Sequence, residues 1–294
     1  MACGVVLPFM GRCQRSSQTS AGREAKLMTT PSHPVSTRMP VLFVGHGSPM
    51  HAIGDNIWAQ DFAALAARIP TPSAILAISA HWFVDGIYLT ADNHPKTIHD
   101  FGGFPQPLYE IEYRAPGKVE LAQRVRTLLG EERAALSHQW GLDHGTWSVL
   151  RRMYPAADVP VVQLSIDRRL DFKAHYALGQ SLAALRQEGV LILGSGNVVH
   201  NLRDASARRQ AGSNETPDWA VRFDNEVKRI ASERDTKSLL SLWDTQDGHR
   251  AHPIPDHWLP LIYAYAATDD RDQVAFSSEA FDLGSISMRN LMFA

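Results

Sequence analysis

The sequence predicts an α/β fold in which helices cover both faces of a parallel or mixed sheet. Short apolar runs bounded by turn residues alternate with stretches that have the spacing of amphipathic helices. Short, continuous apolar runs are typical of strands buried on both faces. Their alternation with helices favours parallel strands joined by crossover helices. Because no internal repeat and no linker interrupts the pattern, we expect one domain over residues 39–294.

Four apolar runs are predicted as strands, and four other stretches as helices. The predicted strands are residues 41–44, 74–78, 159–165 and 189–193. The predicted helices are residues 57–69, 119–129, 172–185 and 219–230, each with apolar side chains three or four residues apart. In open α/β sheets, ligands bind outside the carboxyl ends of the strands. Residues that directly follow these strands are therefore the first candidates for a functional site.

Composition excludes several classes of protein. A net charge of -2 over 294 residues gives no reason to expect nucleic acid or an acidic membrane surface as a partner. No stretch approaches the roughly 18 consecutive apolar residues that a membrane span requires. Both cysteines, Cys3 and Cys13, lie near the N-terminus, so the body of the chain has no disulfide framework and no thiolate metal site. We expect a cytoplasmic monomer or small homo-oligomer with small-molecule partners.

Residues 1–38 differ in composition from the rest of the chain. They are rich in Ser, Thr, Gly and Arg and show no sustained periodicity. The apolar run at residues 4–10 precedes the positive charges, which is the wrong order for a secretory signal. Four basic residues against a single acid between residues 12 and 26 leave an organelle transit peptide as an alternative. We expect a disordered tail, or upstream sequence before a true start at Met28 or Met39.

The positions of several of the chain's 13 histidines are the main indication of function. His46 and His81 each follow a predicted strand, and His200 follows the fourth strand through Ser195-Gly196-Asn197. Because the carboxyl ends of parallel strands meet at one edge of a sheet, three imidazoles are expected to converge there. Imidazole is the commonest protein ligand for metals such as iron and zinc, and it carries protons near neutral pH.

A further candidate, His257, lies in a segment that we predict to begin a helix with Asp256 as its N-cap. The glycines at 45 and 47 let the backbone turn sharply beside His46 and let a metal or substrate approach closely. The alternative for each candidate histidine is a structural hydrogen bond, or at His257 an ordinary helix start. Other histidines are assigned to the surface or to packing, namely His51, His94, His138, His175 and His249, and His33 to the tail.

Three neighbouring features are weaker. Ser48 does not stand in a G-x-S-x-G motif and no strand-to-helix elbow surrounds it, so a serine hydrolase is disfavoured. The segment Gly194-Ser195-Gly196 is too short to cradle a phosphate. Trp82, next to His81, either shields a metal or fills the core.

Six short segments around the histidines carry further information. They are GHGSPM at 45–50, SAHW at 79–82, IHDFGGFP at 98–105, WGLDHGTW at 140–147, GNVVHNL at 196–202 and PDHWLPL at 255–261. In this order, from residue 39 to about residue 287, the chain resembles the DOPA-type extradiol aromatic-ring-opening dioxygenases, the class III or LigB-like family. One such segment has little specificity. Six in order identify the family, and they say less about the substrate.

The resemblance implies a three-layer α/β/α fold with a mixed, mostly parallel sheet. It also implies one divalent metal ion, Fe(II) for activity or Zn(II) as bound, held by His46, His81 and His257. Many extradiol enzymes use two histidines and one carboxylate. Here the third position resembles His257, with Asp256 beside it, and an all-histidine site also suits zinc.

The resemblance further implies that dioxygen is inserted into a DOPA-like catechol. His200 resembles the acid–base histidine of the family, near enough to contact the metal as well, and His144 matches a histidine that contacts substrate or dioxygen. Each stage of ring opening moves a proton, so a base with a pKa near neutrality is required. His99, Trp82 and Ser48 are expected to contact the substrate.

Two other functions are consistent with the same residues. A zinc-dependent hydrolase would use the histidines to lower the pKa of a bound water. A non-enzymatic binding protein of the Memo type shares this fold and some of these positions. Oxygen uptake with a catechol separates the dioxygenase from both alternatives.

Overall fold

A computed structural model describes residues 38–213 and 215–294. The prediction about the N-terminal tail therefore lies outside the described residues, except at its last position. Arg38 pairs with Asp269 at 2.9 Å and with Asp272 at 3.2 Å. Since these ion pairs tie Arg38 to the body of the fold, it does not belong to the tail.

Within the described residues, eight strands form one mixed sheet and two form a hairpin. The strands are β1 (Val41–Gly45), β2 (Ala74–Val84), β3 (Ile87–Thr90), β4 (Ala134–Ser137), β5 (Val161–Asp167), β6 (Val190–Gly196), β7 (Val274–Ser277), β8 (Phe281–Asp282), β9 (Ile286–Ser287) and β10 (Asn290–Phe293). The order across the sheet is β4-β3-β5-β2-β6-β1-β10-β7. The central strands β5, β2, β6 and β1 are parallel, whereas β10 and β7 add antiparallel edge strands.

Helices cover both faces of this sheet. They are α1 (Ile57–Ala67), α2 (Gln106–Tyr109), α3 (Val119–Leu129), α4 (His144–Met153), α5 (Phe172–Leu182), α6 (Leu202–Gln210), α7 (Asp218–Glu233), α8 (Thr236–Ser241), α9 (Gln246–Ala251) and α10 (Leu259–Ala266), with short 3-10 helices that include Pro49–Ala52 and Pro255–His257. None of these helices has the length and apolarity needed to cross a membrane.

The alternation of side chains along the strands builds two cores. In β2, Leu76 and Ile78 belong to the core that includes residues of α3, α5, α7 and α10, whereas Ile75 and Ala77 belong to the core on the opposite face, which includes residues of α1 and α4. Successive residues of a strand point to opposite faces, so an uninterrupted apolar run serves both cores. The predicted α/β class, with a mixed, mostly parallel sheet between two helical layers, is confirmed.

The main differences from the predicted elements lie at their ends. The second strand was predicted to end at residue 78 but continues to Val84, with a shift in its pairing to β5 between Ile78 and Phe83. His81 therefore lies within this irregular part of β2 and not after it. The other predicted strands and the four helices are present with shifted ends, except α3, which spans the predicted residues.

Candidate active site

Five histidines meet at the carboxyl edge of the parallel strands. His46 directly follows β1, and His81 lies in the irregular part of β2. His144 is the first residue of α4, whose N-cap is Asp143. His200 follows β6, and His257 ends the 3-10 helix Pro255–His257. The strands fix three of these imidazoles in one region, and the two helix ends bring the others to it.

The rings of His46, His81 and His257 converge. The Nε2 atoms of His46 and His81 are 3.1 Å apart. One ring nitrogen from each of the three residues lies within 4.8 Å of the others. The ring centroids are 5.0 to 5.2 Å apart in all three pairs. The side chains of His46 and His257 are buried, and that of His81 is 19% exposed.

A serine hydroxyl determines which nitrogen of His46 faces the cluster. The Oγ of Ser195, in β6, donates a hydrogen bond to the carbonyl oxygen of Gly145 at 2.6 Å. The same Oγ lies 3.0 Å from His46 Nδ1. Because a hydroxyl has one proton to donate, Ser195 must accept from Nδ1–H of His46. The Nε2 of a neutral His46 is then a bare lone pair directed at His81.

The carboxylate of Asp100 lies between two of the imidazoles. Its Oδ2 is 3.1 Å from His81 Nδ1 and 3.0 Å from His144 Nδ1. Its Oδ1 accepts a hydrogen bond from the backbone N–H of His144 at 2.8 Å. The rings of His81 and His144 are only 3.9 Å apart between centroids. Asp100 therefore links a side chain of strand β2 to the first turn of α4.

The predicted N-cap at Asp256 is wrong. The residue before the 3-10 helix is Ile254, and α10 begins only at Leu259. The Asp256 carboxylate instead accepts from the backbone N–H of His257 at 2.8 Å and lies 3.1 Å from Nδ1 of the same residue. Pro255 shortens the segment to one 3-10 turn, and this turn aims His257 into the cluster.

His200 stacks on His257 with a centroid distance of 3.5 Å and an angle of 7° between the rings. The glycine-containing turn before His200 is closely packed. A Cβ at Gly196 would lie 2.3 Å from the carbonyl oxygen of His257. The buried Asn197 donates to the carbonyl oxygen of Ser287 at 2.8 Å. The turn is therefore held between two other segments.

Burial and mutual repulsion determine the protonation of the cluster. Burial, followed by neighbouring imidazoles, lowers the pKa of four histidines, namely His46, His144, His200 and His257. Burial also acts to lower the pKa of His81, but the nearby carboxylates of Asp100 and Asp143 outweigh it and raise that pKa. Burial opposes ionisation of Asp100, yet its contacts with His144 and His81 bring its pKa well below the usual range. Four of the five imidazoles therefore favour the neutral form, whereas His81 favours the protonated form beside the ionised Asp100.

A cavity of about 520 Å³ opens onto the cluster. Apolar side chains form much of its wall, and the five histidines lie in its lining with Asp100 and Asp256. The apolar residues are Phe101, Phe104, Leu202, Leu283 and Ile286. Arg209 and Asp282 add one charge of each sign to the lining. Among the residues that the structure describes, Arg209 is the one Arg or Lys in this wall.

Two of the three side chains expected to contact substrate lie outside this cavity. Trp82 is buried and stacks on Trp140 at 5.5 Å, because it follows His81 in the strand and faces the other way. His99 has its Nε2 3.0 Å from the carbonyl oxygen of Ile111 and packs behind Phe101. Ser48 does line the cavity, where its Oγ caps the 3-10 helix Pro49–Ala52.

Sequence reasoning missed the groups that orient the histidines. Asp100 was part of the segment at 98–105, but the position expected to contact substrate there was His99. Ser195 was considered only as part of a phosphate loop. Asp143, the N-cap of α4, is buried and accepts from Ser79 Oγ at 2.7 Å. The D-H pairs at 143–144 and 256–257 were the available signal, since a carboxylate beside a histidine often orients it.

The residues present fit a divalent metal ion. The Nε2 atoms of His46 and His81 lie 3.1 Å apart and face the same space. The buried Nε2 of His257 has no hydrogen-bond partner in the described part of the chain, whereas its Nδ1 lies 3.1 Å from the Asp256 carboxylate. Buried acceptors left without a donor are costly, and a cation among them removes that cost. Three imidazole nitrogens suit Fe(II) and Zn(II).

Comparison with known proteins identifies the family. Residues 40–294 match the family described as the catalytic LigB subunit of aromatic ring-opening dioxygenase. The 4,5-DOPA dioxygenase extradiol of Escherichia coli K12 is 44% identical over 257 residues, covering 86% of this chain and 94% of that protein. The protein of the same name from Beta vulgaris is 38% identical, covering 85% of this chain and 95% of that one.

A solved structure agrees with this result. The crystal structure of an uncharacterized protein from Escherichia coli K12 superposes with a TM-score of 0.76 at 38% identity, covering 87% of this chain and 100% of that one. The resemblance stated from the six segments is confirmed, and so is the expectation of an extradiol ring-opening enzyme. The chain therefore belongs to the LigB family of aromatic ring-opening dioxygenases.

Proposed function

We propose that this dioxygenase opens the ring of a catechol and depends on one divalent metal ion held by His46, His81 and His257. One observation carries the proposal: nitrogens of three imidazoles converge within 4.8 Å at the base of the cavity, beside two further imidazoles. When bound, Fe(II) would supply the redox chemistry by which a catechol reacts with dioxygen, with both atoms of dioxygen entering the product.

The cavity wall suits an aromatic ring. Phe101 and Phe104 pack edge to face at 5.3 Å, and Phe101 also lies 5.4 Å from the ring of His144. Leu283 and Ile286 come from the β8–β9 hairpin. A planar apolar ring held among these side chains displaces water from the histidine cluster.

We assign proton transfer to His200. Its imidazole is buried, and burial followed by the neighbouring His257 lowers its pKa, so it is neutral and can accept a proton from a catechol hydroxyl. Its ring lies flat against His257, which keeps it beside the metal ligands and outside the three-nitrogen group. His144, whose Nδ1 is 3.0 Å from Asp100, contacts the substrate or dioxygen.

We further propose a DOPA-like catechol, in which an amino-acid side chain extends from the ring. The relatives named 4,5-DOPA dioxygenase extradiol support this choice. So does the cavity lining, where Arg209 suits a carboxylate and Asp282 an ammonium group. The guanidinium of Arg209 makes no hydrogen bond or ion pair within residues 38–213 and 215–294. Arg208, one residue earlier, pairs with Asp204 at 2.6 Å.

The proposal is tested by anaerobic loading with Fe(II), followed by oxygen-uptake measurements on a panel of catechols. We expect uptake with DOPA and a yellow ring-opened product, and no uptake by the zinc-loaded protein. Absence of uptake with every catechol would refute the proposal. Metal-dependent cleavage of an ester or amide in the same preparations would instead support a hydrolase.

Two variants separate metal binding from proton transfer. His200→Ala should keep its metal content while turnover falls by about 10² or more. His46→Ala should lose the metal itself. The exposed His94 provides the control, since His94→Gln should change neither property. A His200→Ala protein that purifies without metal, or that keeps full turnover, contradicts the role given to His200.

A third pair of variants tests the substrate side chain. Arg209→Gln should raise the KM for DOPA by roughly 10-fold, the loss expected for a charged hydrogen bond, and should leave the KM for dopamine nearly unchanged, since dopamine has no carboxylate. Arg203→Gln, on the same helix but outside the cavity lining, is the matched control. Equal effects of Arg209→Gln on both substrates would exclude a carboxylate contact.

A further inference from the structure

We infer that Asp100 is a positioning residue that holds the imidazoles of His81 and His144 in one tautomer, each with a proton on Nδ1 and a bare Nε2. The inference rests on the proposed function, because His81 is a proposed metal ligand and His144 a proposed contact of substrate or dioxygen. It states that the Asp100 side chain orients the imidazoles of both His81 and His144.

The geometry leaves Asp100 only the role of acceptor. An ionised carboxylate has no proton to donate, so a ring nitrogen in contact with it must carry the proton. Both Nδ1 atoms lie within 3.1 Å of the same Oδ2, and Oδ1 is occupied by the backbone N–H of His144. A neutral imidazole has a single N–H, so each ring then presents a lone pair at Nε2.

This tautomer is the one that the cluster requires. The Nε2 of His81 lies 3.1 Å from the Nε2 of His46, which the hydroxyl of Ser195 leaves bare. If His81 carried its proton on Nε2, it would donate to His46 and close the space between the two nitrogens. With the proton on Nδ1, two lone pairs meet, and this arrangement favours a cation between them.

The fold holds Asp100 at this position through backbone contacts near it. The N–H of Ile98 donates to the carbonyl oxygen of Leu142 at 2.7 Å, and Trp147 Nε1 donates to the carbonyl oxygen of Ile98 at 2.8 Å. Leu142 directly precedes the N-cap of α4, and Trp147 lies within this helix. The same helix that carries His144 therefore fixes the loop that carries Asp100, and the two move together.

The test measures tautomers and zinc affinity, neither of which requires turnover. Long-range ¹⁵N–¹H NMR spectra of the zinc-loaded protein report which nitrogen of each histidine carries the proton. Signals are assigned through His81→Gln and His144→Gln. We expect Nδ1–H at both residues in the wild type. An Nε2–H at either one overturns the inference without any change at Asp100.

Variants at Asp100 test whether its carboxylate sets the tautomers of His81 and His144. Asp100→Asn replaces one acceptor oxygen by an NH₂ group, so at least one ring must change tautomer or lose its partner, and zinc affinity should fall by about 10- to 100-fold. Asp100→Glu keeps the carboxylate and should keep the tautomers and recover part of the affinity. The inference is contradicted if Asp100→Glu binds zinc no more tightly than Asp100→Asn. It is also contradicted if Asp100→Asn keeps the tautomers and the zinc affinity of the wild type.

A second Asp–His contact supplies the matched control. Asp92 Oδ1 lies 2.7 Å from His138 Nδ1 at an exposed site. Asp92→Asn should change only the His138 signal and leave zinc affinity unchanged. Oxygen uptake by the wild type is a separate readout: if it is absent while the tautomers are as expected, the proposed function fails and the role of Asp100 stands. If oxygen uptake is present while the tautomers differ from those expected, the proposed function stands and the role of Asp100 fails.

Discussion

His252 is a buried histidine that makes the stability of the fold depend on pH. Its Nε2 donates to the carbonyl oxygen of Val198 at 2.8 Å, and its Nδ1 has no partner in the described part of the chain. The ring packs against Phe223 and Trp258 at 5.7 and 5.6 Å. Burial lowers the pKa of His252 from 6.5 to about 4, because a second N–H in this apolar setting would have no acceptor.

The sign of the effect follows from the two pKa values. Between a pH of about 6.5 and a pH of about 4, the unfolded chain binds a proton at His252 and the folded protein does not. The free energy of unfolding therefore falls as the pH falls through this window. With pKa values of 6.5 unfolded and about 4 folded, His252 alone accounts for a loss of about 2 kcal/mol between pH 7.5 and pH 5.

The assay is urea unfolding of the wild type and of His252→Gln at several pH values, since the glutamine amide still reaches Val198 as a donor and does not titrate. We expect the difference in unfolding free energy between the two proteins to change by about 2 kcal/mol over that range, in favour of the variant at low pH. His94→Gln, at an exposed site, should run parallel to the wild type. Parallel curves for His252→Gln as well would refute the argument.

Three further changes have defined outcomes. Gly196→Ala should lower both the melting temperature and the zinc affinity, because its Cβ would lie 2.3 Å from a backbone oxygen. Gly102→Ala is the control and should change neither, because a Cβ there has no atom within 4 Å. Equal effects of the two substitutions would contradict this prediction. Arg186→Met should cost about 3 kcal/mol in urea unfolding, since it removes the buried arginine that contacts Asp272 at 2.6 Å and leaves only Arg38 at 3.2 Å; a loss below about 1 kcal/mol contradicts this. Ser195→Ala should weaken zinc binding by about 10-fold or more in a chelator competition; unchanged affinity would show that the hydroxyl does not orient its histidine.

The centre of the sheet could be predicted because its strands are buried on both faces. Strand β1 and the first residues of β2 and β6 are continuous apolar runs, and β5 combines apolar residues with the buried Gln163 and Ser165, so this pattern can be recognised in the sequence. The edge strands lack it: β3 and β4 have four residues each, and β7 has partly exposed side chains throughout. Their pairing depends on contacts with distant segments, which no local pattern records.

The same distinction applies to the site. His46 and His81 could be predicted because a strand delivers each of them to the ligand-binding edge of the sheet. The partners that orient them could not be found in this way, since Ser195 is 149 residues from His46 along the chain. Trp82 was expected to contact the substrate but lies outside the cavity lining, and the reason is local. The strand was predicted to end at residue 78, so the alternation that turns Trp82 away from His81 was not applied to it.

The arrangement of the orienting groups explains how the cluster tolerates so much burial. Each proposed metal ligand lies beside a different oxygen: Ser195 at His46, Asp100 at His81 and Asp256 at His257. These oxygens come from β6, from a loop pinned to α4 and from a 3-10 turn, so no single local rearrangement can release all three rings. In the absence of a cation, bare nitrogens held this rigidly cannot turn toward other donors. Binding of the proposed ion would recover the free energy that the fold loses by holding them, so these contacts are expected to raise the affinity of the cluster for a metal.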